Sequence, residues 1–290
     1  MPLSIESLWA VTKLQVQLAQ WLTGHPQGRS PHRALRARVM PERATPERDS
    51  SPAARSTTDP HQAAVSIVIP ALNEAGNLAQ VLKSLQTTSR VEVIVVDGGS
   101  FDATSEIALR WATKVVTSRP GRSHQMNQGA ALATSPVLLF LHADTRLPQG
   151  FEQIVHRTLA QPGVVAGAFK LAIDSPRPAL RWVEWGVNVR SHRLQMPYGD
   201  QGIFLRAETF HALGGFPELP MMEDFELMRR LKNQGKVAIA AAAVTTSDRR
   251  WRTLGIWRTT LANQAMVVGY LLGVSPDKLA RWYRNLGKLR

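Results

Sequence analysis

The spacing of apolar positions changes character along this chain, and each change marks a different kind of segment. In residues 3–22, "LSIESLWAVTKLQVQLAQWL", the side chains Leu8, Val11, Leu14, Leu18, Trp21 and Leu22 recur at helical spacing and predict a short amphipathic helix within residues 1–23. Residues 24–62 are rich in Pro, Arg and Ser and poor in large apolar side chains. Such a stretch buries too little surface to offset its ordering entropy, so a disordered basic linker is expected there. The helix before it reads either as a satellite of the core or as a partner- or membrane-surface element.

From Val65 the pattern becomes that of an α/β sheet. "VSIVIP" and "VEVIVVD" are short β-branched runs suited to strands buried on both faces. Between them Leu78, Val81, Leu82 and Leu85 take helical spacing. A second crossover, "DATSEIALRWA", leads to "KVVTS", and a third, "SHQMNQGAALATS", leads to "VLLFLHAD". This alternation predicts an α/β fold with a mostly parallel central sheet flanked by helices. Further on, "VVAGAFKLAI" reads as a strand and "ALRWVEWGVNVRSH" as a helix. "GIFLRAETFHAL" reads as a strand entering a helix, and "MEDFELMRRLKNQ" as a helix that begins with acids. There is no internal repeat.

Composition narrows the chemistry. With 290 residues, 44% of them hydrophobic, the chain can bury a full core, and with no cysteine it excludes thiolate metal sites, disulfides and thiol nucleophiles. The net charge of +13 is uneven. Lys plus Arg against Asp plus Glu is 8 to 5 over residues 1–62, 14 to 15 over 63–226 and 13 to 2 over 227–290. A basic end suits nucleic acid, anionic lipid, a phosphorylated substrate or simple solvation, and charge alone does not choose. No run reaches the roughly 18 apolar residues of a spanning helix, and no signal-peptide pattern opens the chain, so the expected compartment is the cytoplasm.

In an open α/β sheet, ligands bind beyond the carboxyl ends of the strands. "DGGSFD" follows the second strand there: Gly98 and Gly99 allow close backbone approach, and Asp97 and Asp102 offer acceptors to a base or ribose, although the same residues make an ordinary turn and helix cap. Arg119 and Arg122 in "RPGRSHQMNQGA" present guanidinium donors suited to phosphate oxygens. In "HADT", Asp144 is a hard oxygen ligand for a divalent ion on a diphosphate, and His142 lies on the same side of an extended strand. Glu223 and Asp224 open a helix, where the dipole favours acids and where a carboxylate can also serve as a general base. Asp200 in "YGDQG" is another glycine-bounded acid, and Arg249, Arg250 and Trp251 form a basic segment able to close over phosphates.

Taken in order, "SIVIPALNE", "VIVVDGGSFDAT", "RPGRSHQMNQGA", "FLHADT", "GDQGIFLR", "LGGFPELPMMEDFELMRRL" and "RRW" resemble a family 2 glycosyltransferase with the GT-A fold. The resemblance covers about residues 64–255 and implies a GT-A domain over residues 63–255, followed by a basic C-terminal helical segment, 256–290. It implies a nucleotide-sugar donor, with UDP ahead of GDP, a Mg2+ or Mn2+ ion, and inverting transfer to an acceptor hydroxyl or carboxyl. By the same resemblance, Pro70, Ala71, Asn73, Glu74, Asp97 with Gly98, Asp102, Arg119, Arg122, Asn127, His142 and Ala143 bind the donor. Asp144, with His142 beside it, holds the metal, Asp224 is the base with Glu223 and Arg250 assisting, and Gly199, Asp200, Gln201 and Trp251 lie on the acceptor side.

Two motifs depart from the family pattern. The usual Asp-X-Asp is His-Ala-Asp, which replaces one anion with an imidazole, and the frequent Asp-Asp-Gly-Ser is Asp-Gly-Gly-Ser, which removes an acceptor near the nucleoside. Several motifs are most similar to a bacterial branch associated with arsenosugar or carotenoid-type glycosylation. A small-molecule or lipid acceptor is implied. With a lipid, "LGIWRTTLANQAMVVGYLLGV" and the basic tail become a membrane-interfacial element at the inner face of the plasma membrane; otherwise that helix covers the core. The competing readings are a retaining transferase or nucleotidyltransferase on a similar fold, and a nucleic-acid-binding module. The last lacks stacking aromatics and a helix-turn-helix pattern, so no nucleic-acid partner is expected.

Overall fold

A computed structural model describes residues 65–86 and 90–286. The helix and linker expected before residue 63 lie outside the described residues.

The first half alternates as the pattern predicts. Strands β1 (Val65–Ala71), β2 (Val91–Asp97), β3 (Lys114–Thr117) and β4 (Val137–Phe140) are joined by helices α1 (Ala75–Leu85), α2 (Thr104–Trp111) and α3 (Arg122–Leu132). They pair in parallel in the order β3-β2-β1-β4. The second half adds β5 (Thr145–Arg146), α4 (Phe151–Leu159), β6 (Val164–Asp174), α5 (Pro178–Leu194), β7 (Ile203–Arg206), α6 (Ala207–Ala212), α7 (Glu223–Lys232) and β8 (Lys236–Ser247). The chain closes with α8 (Arg249–Leu254), α9 (Ile256–Leu271) and α10 (Pro276–Leu286).

All eight strands form one sheet in the order β3-β2-β1-β4-β7-β6-β8-β5. Strand β7 runs antiparallel to both β4 and β6, β8 is parallel to β6, and β5 is antiparallel to β8. Six strands therefore share one direction. Because β7 enters the sheet from the edge where those six end, residues 198–202 reach the same edge as the loops after β1, β2 and β4.

Alternation along the strands splits the core into two layers. Val65, Ile67 and Ile69 face one side with Leu78, Leu82 and Val155, whereas Val68, Ile94 and Val96 face the other with Met126, Leu227 and Leu231. Helix α3 lies so close to the sheet that a Cβ at Gly129 would sit 2.4 Å from Val68 Cγ1 and 3.0 Å from Val96 Cγ2. Only glycine fits there without displacement of the strand side chains.

Strand β8, at 12 residues the longest, had no counterpart in the sequence pattern. Apart from Ile239, its "AIAAAA" centre lacks the β-branched and bulky side chains that advertise a strand. Pairing with β6 over nine residue pairs outweighs the helical preference of alanine.

Candidate active site

The site is built where the six co-directional strands end. After β1, Asn73 takes a left-handed φ of 54°. Its Oδ1 accepts from Phe101 N at 2.9 Å and its own N–H donates to Ser100 Oγ at 2.9 Å, so the first and second loops form one unit. Asp97 is buried and shapes the second loop, accepting from Ser100 Oγ and Ser105 Oγ, each at 2.5 Å. Asp102 is exposed and holds the first residues of α1 and α2, accepting from Ala75 N and Thr104 N. Its pKa is lowered, chiefly by the Thr104 hydroxyl. Pro70 and Ala71 end β1, and Gly98 leaves room for Gln125, whose amide bridges Ala71 O and Val96 O at 2.9 and 2.7 Å.

Charged groups converge across these loops. Arg249 donates to Glu74 Oε1 at 2.6 Å and lies 3.8 Å from Asp144 Oδ2. Burial and the charge of Glu74 push the Asp144 carboxyl up, against the pull of Arg249 and Arg250. Arg122, at the first turn of α3, reaches Glu223 Oε1 at 3.4 Å. Partial desolvation of its half-exposed side chain disfavours its charge, but Glu223, Asp224, Asp144 and Asp200 together outweigh that and hold Arg122 protonated. Glu223 is buried, and burial and its neighbour Asp224 raise its pKa.

Asp224 is anchored by two backbone amides. Its Oδ2 accepts from Gly199 N at 2.7 Å and its Oδ1 from Phe225 N at 2.7 Å. The residue before this pair, Met222, holds a left-handed φ of 70°, a strained conformation for a side chain of its size, worth roughly 1 kcal/mol or more. The turn therefore sets where α7 starts and where both carboxylates point. Gly199 also packs against His142: a Cβ there would meet Nε2 at 3.0 Å and Asp224 Oδ2 at 3.4 Å. His142 Nε2 is buried without a hydrogen-bond partner. Burial, then Arg122 and Arg250, keep that imidazole neutral. Asp200 is likewise pushed up, by burial and then Asp224 against the opposing pull of Arg190, and its Oδ1 has no partner.

Glu74, His142, Asp144, Gly199, Asp200, Glu223, Asp224, Arg122 and Arg250 are thus brought together. Other residues nominated from sequence are committed elsewhere. Arg119 is exposed and pairs with Glu218 at 3.0 Å. Both amide atoms of Asn127 hold the backbone of Phe216, at 2.8 and 2.9 Å. Gln201 is buried, bound to Ser191 Oγ and Phe169 O. Trp251 and Ala143 are buried in the core. Arg249, which donates to Glu74, belongs to the basic segment 249–251 nominated from sequence. Tyr198, whose ring centroid lies 3.5 Å from the Arg190 guanidinium, opens the "YGDQG" motif, but nothing in its local sequence signals that contact.

For a divalent ion, no group of three or more His, Asp or Glu side chains among the described residues is arranged as a cage. Asp144 is nevertheless only lightly engaged, with Thr145 Oγ1 at 3.4 Å and Arg249 at 3.8 Å. A single available carboxylate fits an ion that shares its remaining ligands with diphosphate oxygens and water. It does not fit an ion held by protein alone.

Residues 66–214 match glycosyl transferase family 2. The 4,4'-diaponeurosporenoate glycosyltransferase of Staphylococcus haemolyticus is 39% identical over 92 residues, 29% of this chain and 24% of that protein. The chain spans between about a quarter and 57% of the length of the first curated relatives it matches. Among solved structures, S. aureus TarS 1-349 in complex with UDP-GlcNAc superposes with a TM-score of 0.55 at 15% identity, over 77% of this chain and 72% of that one. Glucosyl-3-phosphoglycerate synthase from Mycobacterium tuberculosis, in complex with Mn2+, UDP and glucosyl-3-phosphoglycerate, gives 0.51 at 18% identity, over 73% and 80%. At these identities the structural likeness speaks for the fold, which is that of the GT-A glycosyltransferases.

Proposed function

The chain belongs to glycosyl transferase family 2, and from that premise we propose that it moves a sugar from a nucleotide-diphosphate donor, a UDP-sugar first, to an acceptor hydroxyl or carboxyl on a small molecule or lipid, with inversion. The observation that carries this reading is the anchoring of Asp224 by Gly199 N at 2.7 Å, within the fields of Arg122 and the other carboxylates. A carboxylate that accepts two backbone hydrogen bonds is held as an oriented acceptor, the state a general base requires.

The residues divide the work as follows. Asp224 takes the proton from the acceptor hydroxyl. The acceptor oxygen forms its bond to the anomeric carbon as the bond from that carbon to the diphosphate oxygen breaks, and attack from the opposite face inverts the centre. Arg122, Arg249 and Arg250 face the departing diphosphate with guanidinium charge, the preorganised electrostatics that such a step needs. Asp144 would hold a divalent ion, which when bound would supply additional charge for the diphosphate. The joined loops at Asn73 and Asp97 offer a wall for the nucleoside. The UDP complexes of the fold neighbours and the Mn2+ of one of them support the choice of nucleotide and ion.

A thermal-shift series with UDP, GDP and their sugar conjugates, each with and without Mn2+ or Mg2+, tests the reading, since a ligand of the native state raises its apparent stability. The expected result is a shift with one nucleotide that grows with metal and that Asp144→Ala abolishes. Equal metal-dependent shifts in wild type and Asp144→Ala would sink the metal assignment, and no shift with any nucleotide would sink the donor assignment.

A further inference from the structure

The helix that sequence alone nominates for a membrane, α9, turns most of its apolar side chains inward, Leu261 excepted. Val267 joins the core, Tyr270 packs its ring 5.7 Å from that of Phe225, and the Tyr270 hydroxyl donates to Glu226 at 3.3 Å. Helix α10 then docks on α9. Leu279 is fully buried and sits where a Cβ on Gly269 would be 2.9 Å from its Cδ2, and the Tyr283 hydroxyl donates to Asn263 Oδ1 at 2.9 Å.

What α10 leaves uncovered is a stripe one helical face wide. Lys278, Trp282 and Leu286 follow one another at four-residue spacing, which stacks them on the same side. Trp282 is 53% exposed, Leu286 is also exposed, and Leu272 in the preceding turn is 75% exposed. Arg258, Lys278, Arg281 and Arg284 are exposed and make no ion pair among the described residues. Helix α5, which contacts α9, carries two more exposed tryptophans, Trp182 and Trp185, packed edge to face at 6.2 Å.

We propose that the outer face of α10 docks on an anionic lipid bilayer, with Trp282, Leu286 and Leu272 entering the headgroup boundary and Lys278, Arg281 and Arg284 meeting lipid phosphates. Charge selects this occupant. A second copy would set one basic face against another, whereas an anionic surface satisfies the unpaired cations and the apolar side chains together. Tryptophan, apolar in body with a polar N–H, suits that boundary. Contact is peripheral, since no helix among the described residues is long and apolar enough to cross a membrane. The same helix reaches the candidate site: the Arg250 guanidinium lies 5.4 Å from the Tyr283 ring centroid, one residue from Trp282. Docking therefore brings the bilayer beside the site, and only in what the bilayer delivers, a lipid acceptor, does this inference rest on the transferase reading.

The test is sedimentation of the full chain with phosphatidylcholine vesicles, with and without phosphatidylglycerol. Binding is expected only with the anionic lipid and to fall as salt screens it. The paired substitution Trp282→Ser with Leu286→Ser should weaken it by about tenfold or more, Arg281→Glu with Arg284→Glu should do the same, and Leu109→Ser, an exposed leucine on α2, should not. Binding indifferent to phosphatidylglycerol, or to both paired variants, overturns the proposal. So does a concentration-dependent dimer, or tight DNA binding in place of vesicle binding, that the same variants abolish. Because sedimentation reads no turnover, a failed donor assignment and a failed docking surface are separable.

Discussion

At the scale of single residues, the site depends on one amide and one carboxylate. Asp224→Asn keeps the shape and, through its one amide oxygen, the Gly199 contact at the expense of that to Phe225 N, but removes the proposed base, so donor binding should persist while turnover falls by roughly 10²–10⁴-fold. Single-turnover assays alongside donor titration check this, and wild-type turnover in the variant would favour a retaining mechanism. Gly199→Ala addresses the anchor itself. Its Cβ would press on His142 Nε2 at 3.0 Å and on Asp224 Oδ2 at 3.4 Å. A displaced base lowers kcat, by about tenfold or more, with the donor KM little changed; unaltered kcat would show that the anchor does not set the base. The acids and arginines that converge in the candidate site could be nominated from sequence because glycine-rich strand ends and an acid-led helix are patterned. Asn127, Gln201 and Trp251 look like ligand residues by type, yet their side chains are committed to Phe216, to Ser191 with Phe169, and to the core. Side-chain partners 10 to 89 residues away in sequence are invisible to a local reading.

At the scale of elements, α3 is the piece that ties site to scaffold. It places Arg122 at its first turn and lies against the sheet through Gly129. Gly129→Ala must push Val68 or move the helix, and overpacking of this kind costs about 1–3 kcal/mol. Denaturant unfolding should register the loss, and an unchanged midpoint would mean that α3 can shift freely. The first four strands could be read from sequence because their β-branched runs are buried on both faces. The longest strand, β8, could not: its alanines acquire strand geometry only from β6 beside them. The C-terminal pair α9 and α10 was foreseen as one helical segment, but which face of it is spent on the domain emerged only from the positions of Val267, Tyr270 and Leu279.

At the scale of the whole molecule, a buried polar knot joins the far end of the sheet. Glu92 on β2 takes Lys114 Nζ of β3 at 2.7 Å, Thr134 N at 2.8 Å and the Ser66 hydroxyl of β1. Burial alone would raise the Glu92 pKa, but the hydrogen bonds from Lys114, Ser66 and Thr134 prevail and hold it below its ordinary 4.5. A depressed carboxylate contributes stability that is fully present above 4.5 and is lost as pH falls through the folded-state value. Glu92→Gln should therefore cost about 2 kcal/mol near neutral pH, and unfolding curves of the two proteins should converge on acidification. A gap that stays constant to low pH would deny the ionic part of the knot.

The clamp of Asn127 on Phe216 has a practical consequence for anyone recombining members of this family. Its two amide bonds weld α3, which bears Arg122, to the segment that leads into Glu223 and Asp224. The side proposed for the phosphates and the side proposed for proton acceptance are consequently one module. A chimera that imports the arginine loop from one parent and the acidic helix from another would cut through that weld, so donor preference and catalytic power should be exchangeable only as a block.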